Sequence, residues 1–337
     1  MAVTSASDDR PLPVLDFTAL HSSDPHEKDA LINQIREACR KSGFFQLVGH
    51  GVEESMQDAI IQAAKDFFAL SLEEKLELDM RKITHHRGYE PMHTQVHEQK
   101  AGPDNKESLY LGDDMALDDP QALAEPQNYG PNLYPKALGR KFEDVCMSYH
   151  ATMIRYWLGQ EIMRALALAL ELDKGWFDDY TSKATGRLRL VHYPQTPNAS
   201  GTERGTGAHR DFGTITLLMK DSIGGLQVMD DVTGRWAEVP PVRGAYVVNI
   251  GNLMMRWTNH TFNSALHRVL NYSGKDRYSI PFFFDGDSSV LIDCIPGCEE
   301  GGKREPPIFA RDFLQMQVSK SYSKREAGGR NGNRPGT

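Results

Sequence analysis

The chain has 337 residues, 39% of them apolar, and carries 38 Lys and Arg against 46 Asp and Glu for a formal charge of −8. That balance, with no clustered basic face, argues against a nucleic-acid footprint. The lack of any apolar run of 18 residues argues against a membrane-spanning helix. Four scattered cysteines are too few for a disulfide scaffold in a chain of this size. The start MAVTSASDDRPLPV has neither a basic n-region nor an apolar h-region. A cytoplasmic protein with small-molecule partners, monomeric or weakly homodimeric, is the expectation.

In chain order, residues 1–10 are polar and read as loose, and PLPVLDF reads as an entering strand. DALINQIREACRKSG places Leu31, Ile32, Ile35, Ala38 and Cys39 on one helical stripe that Gly43 ends. A strand FFQLVGH follows. MQDAIIQAAKDFFALSLEEKLEL and a stretch near 137–171, through Met153, Trp157, Ile162 and Leu166, repeat the helical period. From about Leu188 short β-rich runs take over: LRLVHY, TITLLM, GLQVM, AYVVNI, HRVLNY and RYSIPFFF. Many short strands suggest a sandwich or jelly roll, with the earlier helices on one outer face of the sheet pair. A last helix is expected over about 308–322, and the Gly-rich basic tail 323–337 reads as disordered.

The chemistry concentrates on His209-Arg210-Asp211 before TITLLM and on His267 at the start of HRVLNY. Two neutral imidazoles and one carboxylate at strand ends make a facial triad, which suits iron(II) because three adjacent coordination positions stay open. A His-x-Asp triplet alone is weak, since about one is expected by chance in a chain of this composition. Its weight comes from Arg277-Tyr278-Ser279, an Arg with a nearby hydroxyl on the next strand, the fork that grips a carboxylate with two hydrogen bonds.

These motifs resemble the isopenicillin N synthase-like, or plant-type, iron(II)/2-oxoglutarate oxygenases over roughly residues 11–320. PLPVLDF is similar to that family's first strand, GFFQLVGHGV to its early signature and FFALSLEEK to its helix-and-turn element. RGYEP, DNKES, RLVHYP, AHRDFGTITLL, GGLQV, VVNIGNLMMRWTN, HRVLN and RYSIPFFF complete the series. The pattern is nearest to fungal members, thymine hydroxylases and oxygenases of specialised pathways.

The resemblance implies a mainly β fold with α: a distorted double-stranded β-helix, or jelly roll, with an N-terminal helical layer and a C-terminal helix. It implies one oxygenase domain over 11–322, helix-rich over about 11–180 and jelly roll over about 181–300. It implies Fe(II), with 2-oxoglutarate and O₂ as cosubstrates, and oxidation of an unactivated C–H bond of a small organic molecule. Hydroxylation is the leading outcome, with desaturation or ring rearrangement as alternatives, and a pyrimidine is the alternative substrate. Residue by residue it carries over His209, Asp211 and His267 as iron ligands, Arg277 and Ser279 as the grip on the C5 carboxylate, and Tyr193 as a further cosubstrate contact. Val191 stands where many plant members have Asn, so that contact is not carried over. Arg189, Phe212 and Phe283 fall at substrate positions, against a plain reading of Arg189 as a structural ion pair and the phenylalanines as core.

Rival readings are a zinc hydrolase, which leaves Arg277 and Ser279 without a role, and a ligand-binding protein on the same barrel. His85, His86, His93 and His97 read as solvated loop histidines, although His93 and His97 have a spacing that suits zinc on a helix. His192 reads as a local packing or hydrogen-bonding group, and Cys294 and Cys298 as free thiols. The N-x-S/T triplets at Asn198, Asn259 and Asn271 carry no meaning without a secretion signal. The segment from His85 to about Leu111, and the last helix through Phe309, Phe313, Met316 and Val318, are the candidate lids.

Overall fold

The computed structural model describes residues 12–97, 102–154, 158–195 and 204–317 together with 319. The two tails expected to be loose, Asn198 and Val318 lie outside the described residues.

Local signals place the first elements. Strand β1 (Val14–Asp16) leads into helix α1 (Pro25–Lys41), which opens with Pro25 in its first turn and the Asp24 carboxylate accepting from His26 N–H at 2.9 Å. It ends before Gly43, whose φ of +70° is open to glycine, and a Cβ there would run into the Asn263 carbonyl. Strand β2 (Phe44–Val48) follows. The long helical stretch expected next is two helices, α2 (Glu54–Phe68) and α3 (Leu72–Glu77). They part at Ser71, where a Ser71–Glu74 capping box starts a new helix. Strands β3 (Gly88–Glu90) and β4 (Glu107–Gly112), the short α4 (Pro120–Ala124), then α5 (Gly139–Ile154) and α6 (Leu158–Ala169) complete the first half, with α7 (Asp178–Thr181) leading out.

The second half runs β5 (Thr185–Tyr193), β6 (Arg204–His209), β7 (Ile215–Lys220), β8 (Leu226–Asp230), β9 (Arg235–Glu238), β10 (Tyr246–Ile250), α8 (Asn252–Trp257), β11 (His267–Leu270) and β12 (Arg277–Asp285), then the pair β13 (Leu291–Ile292) and β14 (Ile308–Phe309). An eight-stranded sheet has the order β1-β2-β10-β7-β12-β5-β4-β3, and a four-stranded sheet the order β6-β11-β8-β9. This is the expected jelly roll with a helical layer.

The first half is less purely helical than its periodicity suggests: β1 to β4 all join the large sheet. β3 and β4 give little local signal because they are short, and the alternation of β4 is hidden by burial on both faces. Alternation sorts the large sheet's side chains. Leu188 and Leu190 of β5, Leu217 and Met219 of β7, and Ile280, Phe282 and Phe284 of β12 pack on the helices in the main core. Val191, Tyr193, Leu218 and Val247 face inward with Val228 and Val269 of the small sheet, in a second cluster. Phe282→Ala is expected to cost about 3–5 kcal/mol, since Phe282 is fully buried between the sheet and His150 of α5. Urea unfolding checks this, and an unchanged midpoint would remove the sheet–helix interface as the main core.

Residues 310–317 are helical, but Phe313 is buried in the core on the helix side of the sheet, beneath Arg256 of α8. This corrects the expected lid role, because the apolar face of that helix is already used in packing. The other candidate lid also needs correction at one end: Glu107 to Leu111 belong to β4, an interior strand of the sheet.

Candidate active site

β6 ends and β11 begins on a histidine, and the ladder between these strands sets His267 directly opposite His209. In an antiparallel pair such residues share a face, and the two rings lie 4.2 Å apart. The sequence reading sets His209 at a strand end just before TITLLM; the strand it closes is β6, in the small sheet, which is not among the runs read as strands. Asp211 sits in the crossing from β6 to β7, where its carbonyl accepts from Asn252 N–H at 2.8 Å. Asp211 Oδ1 lies 3.7 Å from His209 Nε2 and 3.8 Å from His267 Nε2. The three ligand atoms all fall within 4.8 Å of one another, and among the described residues this is the one group of its kind.

Every remaining polar atom of the triad is occupied. His209 Nδ1 donates to the Gly207 carbonyl at 2.8 Å and His267 Nδ1 to the Ala265 carbonyl at 3.3 Å. Each Nε2 lone pair is therefore turned toward the shared centre. Asp211 Oδ2 accepts from Thr216 Oγ1 at 2.6 Å and Asn249 Nδ2 at 2.8 Å, which leaves Oδ1 facing the histidines. Burial, then the charges of His267, His97 and Lys106, hold His209 well below the ordinary imidazole range, so it stays a neutral donor. The donor set fits a divalent transition metal.

Deeper along the inner face, Arg277 is fully buried and its Cζ lies 4.8 Å from the centre of the Tyr193 ring. Its Nε donates to the Gly224 carbonyl at 3.1 Å, while Nη1 and Nη2 are buried with no partner. A buried guanidinium fork with two idle donors calls for a two-oxygen anion. Ser279, also buried, points the same way two residues along β12. Tyr193 takes a hydrogen bond from Thr206 Oγ1 at 3.3 Å. Burial alone would raise its phenol, but Arg277 and Lys106 outweigh that and leave it below its usual value.

Phe212 follows Asp211 directly and is half-buried, as is Phe283, which lies opposite Thr216 across the β7–β12 ladder. Arg189 is buried but already engaged: Nη2 donates to Glu90 at 2.8 Å and Gln95 at 3.0 Å, and the guanidinium stacks on Tyr110. The plain ion-pair reading of Arg189 thus has a partner in hand.

A network with almost no trace in the sequence ties His97, Asp104 and Lys106 to the strand that bears His209. Asp104 accepts from Gly207 N–H at 2.9 Å, from Lys106 at 3.0 Å and from His97, whose ring lies 4.5 Å from that of His209. Burial would raise Asp104, but the His97 hydrogen bond and the Lys106 charge hold it well below the carboxylate range. A polar cluster inside DNKES is its only local signal. Likewise a threonine in TITLLM and an asparagine in VVNI are the sole hints of Thr216 and Asn249.

The remaining sequence features resolve simply. His93 and His97 lie on no helix. Neither His85 nor His97 is the solvated side chain expected: His85 is buried with Nε2 against the Pro131 carbonyl, and His97 is spent on Asp104. His192 hydrogen-bonds Glu107 and Asp276. The cysteines are free. Asn259 and Asn271 are buried and each donates to three backbone carbonyls, so these triplets are spent on loop structure. No helix among the described residues is long and apolar enough to cross a membrane.

Comparison with known proteins agrees with this geometry. A family model described as the N-terminal region of non-haem dioxygenases in morphine synthesis matches residues 12–137, and the 2OG-Fe(II) oxygenase superfamily matches 184–286. A 2-oxoglutarate-Fe(II) type oxidoreductase, hxnY, of Emericella nidulans is 40% identical across 94% of this chain and 91% of its own. Clavatol oxidase claD of Penicillium crustosum is 37% identical across 93% and 96%. Among solved structures, a full-length Neurospora crassa protein in complex with alpha-KG and thymine is similar with a TM-score of 0.81, at 27% identity over 94% of this chain and 99% of that one. With two family models in order along the chain and relatives matched over nearly their whole length, the protein belongs to the 2-oxoglutarate/Fe(II) oxygenases, enzymes that use Fe(II), 2-oxoglutarate and O₂.

Proposed function

We propose that His209, Asp211 and His267 hold the Fe(II), and that Arg277 and Ser279, with Tyr193 alongside, receive the distal carboxylate of 2-oxoglutarate. The observation that carries this reading is the pairing of three converging donor atoms with a buried guanidinium whose two outer nitrogens lack partners. Bound iron supplies the oxidising chemistry that couples loss of CO₂ from 2-oxoglutarate to attack on a C–H bond. The chain's own groups do the rest. The Nδ1 bonds lock both imidazole tautomers, Thr216 and Asn249 keep one carboxylate oxygen of Asp211 turned inward, and Arg277 fixes the far end of the cosubstrate. His97 covers one edge of His209, and Phe212 and Phe283 provide apolar walls for a small molecule.

Asn249→Ala or Thr216→Val is expected to weaken Fe(II) binding about 10–100-fold, the usual effect of losing a partner behind a metal ligand. Metal titration of the purified variants measures it, and wild-type affinity in both would take that role away.

The substrate in this reading is a small organic molecule of fungal-type specialised metabolism, hydroxylated at an unactivated carbon. A fungal relative named clavatol oxidase supports oxidation of a small organic molecule. A thymine-type pyrimidine is the second reading, favoured by the likeness to the Neurospora crassa protein solved with thymine, and in it Arg189, Phe212 and Phe283 line the substrate. Screening metabolites for stimulated CO₂ release from 2-oxoglutarate, with mass spectrometry of products, separates the two. Stimulation by pyrimidines alone selects base oxidation; stimulation by aromatic polyketides alone selects the specialised pathway.

A further inference from the structure

Inward-facing Lys220, at the end of β7, has no role in the site described so far. Leu217 and Met219 pack on the helical side and Leu218 on the inner side, so alternation turns Lys220 inward. The β7–β12 ladder sets it directly opposite Ser279, two residues from Arg277. Its Nζ reaches across to the small sheet and donates to the Val239 carbonyl at 2.8 Å, just past β9. Arg277 makes a matching crossing to Gly224, just before β8. Neither cation has a carboxylate within ion-pair distance among the described residues. One backbone carbonyl uses one of the three donors on an ammonium.

We propose that Lys220 is a second cation for the distal carboxylate of 2-oxoglutarate, positioned beside Arg277, and that it sets the preference for a dicarboxylic over a monocarboxylic 2-oxo acid. This rests on the reading of Arg277 as the carboxylate grip. Two neighbouring cations, Arg277 fully buried and Lys220 half-buried, repel each other, and a carboxylate placed between them relieves both; a 2-oxo acid ending in a methyl group relieves neither. Burial, then the Arg277 charge, push Lys220 down to about 8, against the opposing pull of Glu238 on β9 and of Asp221 beside it. In the free protein Lys220 therefore gives up its proton from about pH 8 upward, and a bound carboxylate holds the proton in place. Affinity for 2-oxoglutarate is then full below that range and falls as pH rises through about 8.

The test is anaerobic calorimetric titration of Mn(II)-loaded protein with 2-oxoglutarate and with 2-oxopentanoate, its analogue with a methyl in place of the far carboxylate. Lys220→Met is expected to bind 2-oxoglutarate about tenfold more weakly at pH 7 and 2-oxopentanoate as the wild type does. Between pH 7 and 9 wild-type affinity for 2-oxoglutarate should decline while that of the variant stays flat. A 2-oxoglutarate affinity within about twofold of wild type, an equal loss for both acids, or no pH dependence in the wild type would each overturn the proposal. Arg277→Met is run alongside. If it alone weakens 2-oxoglutarate, only the Lys220 inference falls; if it too has no effect, the carboxylate-grip reading falls with it.

Discussion

His209→Ala and Asp211→Ala should each abolish iron-dependent formation of succinate. Both side chains supply one of only three protein donor atoms at the centre. Loss of a group merely supporting a ligand costs about 10–100-fold, so loss of a ligand itself should leave less than about a hundredth of wild-type turnover. Both residues lie where β6 crosses to β7, outside the main core on the helical side. The variants should therefore keep the wild-type unfolding midpoint to within a few degrees. Near-normal turnover in either one would refute the triad.

The second large effect is on the cosubstrate. Arg277→Met should raise the 2-oxoglutarate requirement roughly a hundredfold, corresponding to about 3 kcal/mol for a buried, charge-assisted double hydrogen bond. The rate at saturating cosubstrate and the KM for the organic substrate should change far less, because the guanidinium does not reach the reacting carbon in this arrangement. Steady-state kinetics with each reactant varied in turn checks this. An unchanged apparent affinity for 2-oxoglutarate would leave the idle Nη1 and Nη2 of Arg277 without an explanation.

Both predictions concern residues that stand out in the amino-acid sequence, for a physical reason. A metal triad needs particular donor atoms, and few residue types supply them, so His209, Asp211 and His267 are conspicuous even in a strand-rich segment. Arg277 and Ser279 are conspicuous because a cation and a hydroxyl on alternate positions of an otherwise apolar strand demand a purpose. The groups behind them use ordinary residues. Thr216 and Asn249 look like any strand residues until β7 and β10 pair and turn both toward Asp211. Lys220 looks like a strand-ending surface lysine until its neighbour Ser279 shows which face it shares.

Local patterns also mislead in definable ways. β3 and β4 sit among helices and loops, and β4 is buried on both faces, so no alternation announces it. The Phe313 helix has the apolar stripe of a lid, yet a stripe records only that something covers it. Here the core on the helix side does.

The chemistry on offer and the elements that carry it are therefore written locally in the chain: two imidazoles, a carboxylate and an arginine fork on short strands, behind amphipathic helices. Long-range packing alone settles which polar groups lock those ligands, which cations lack an anion among the described residues, and that Asp104 and Lys106 are tied to the strand bearing His209. Donor type and periodicity are properties of single residues and their near neighbours. Pairing between β6 and β11, or between β7 and β12, joins residues tens of positions apart, and no local pattern encodes their register.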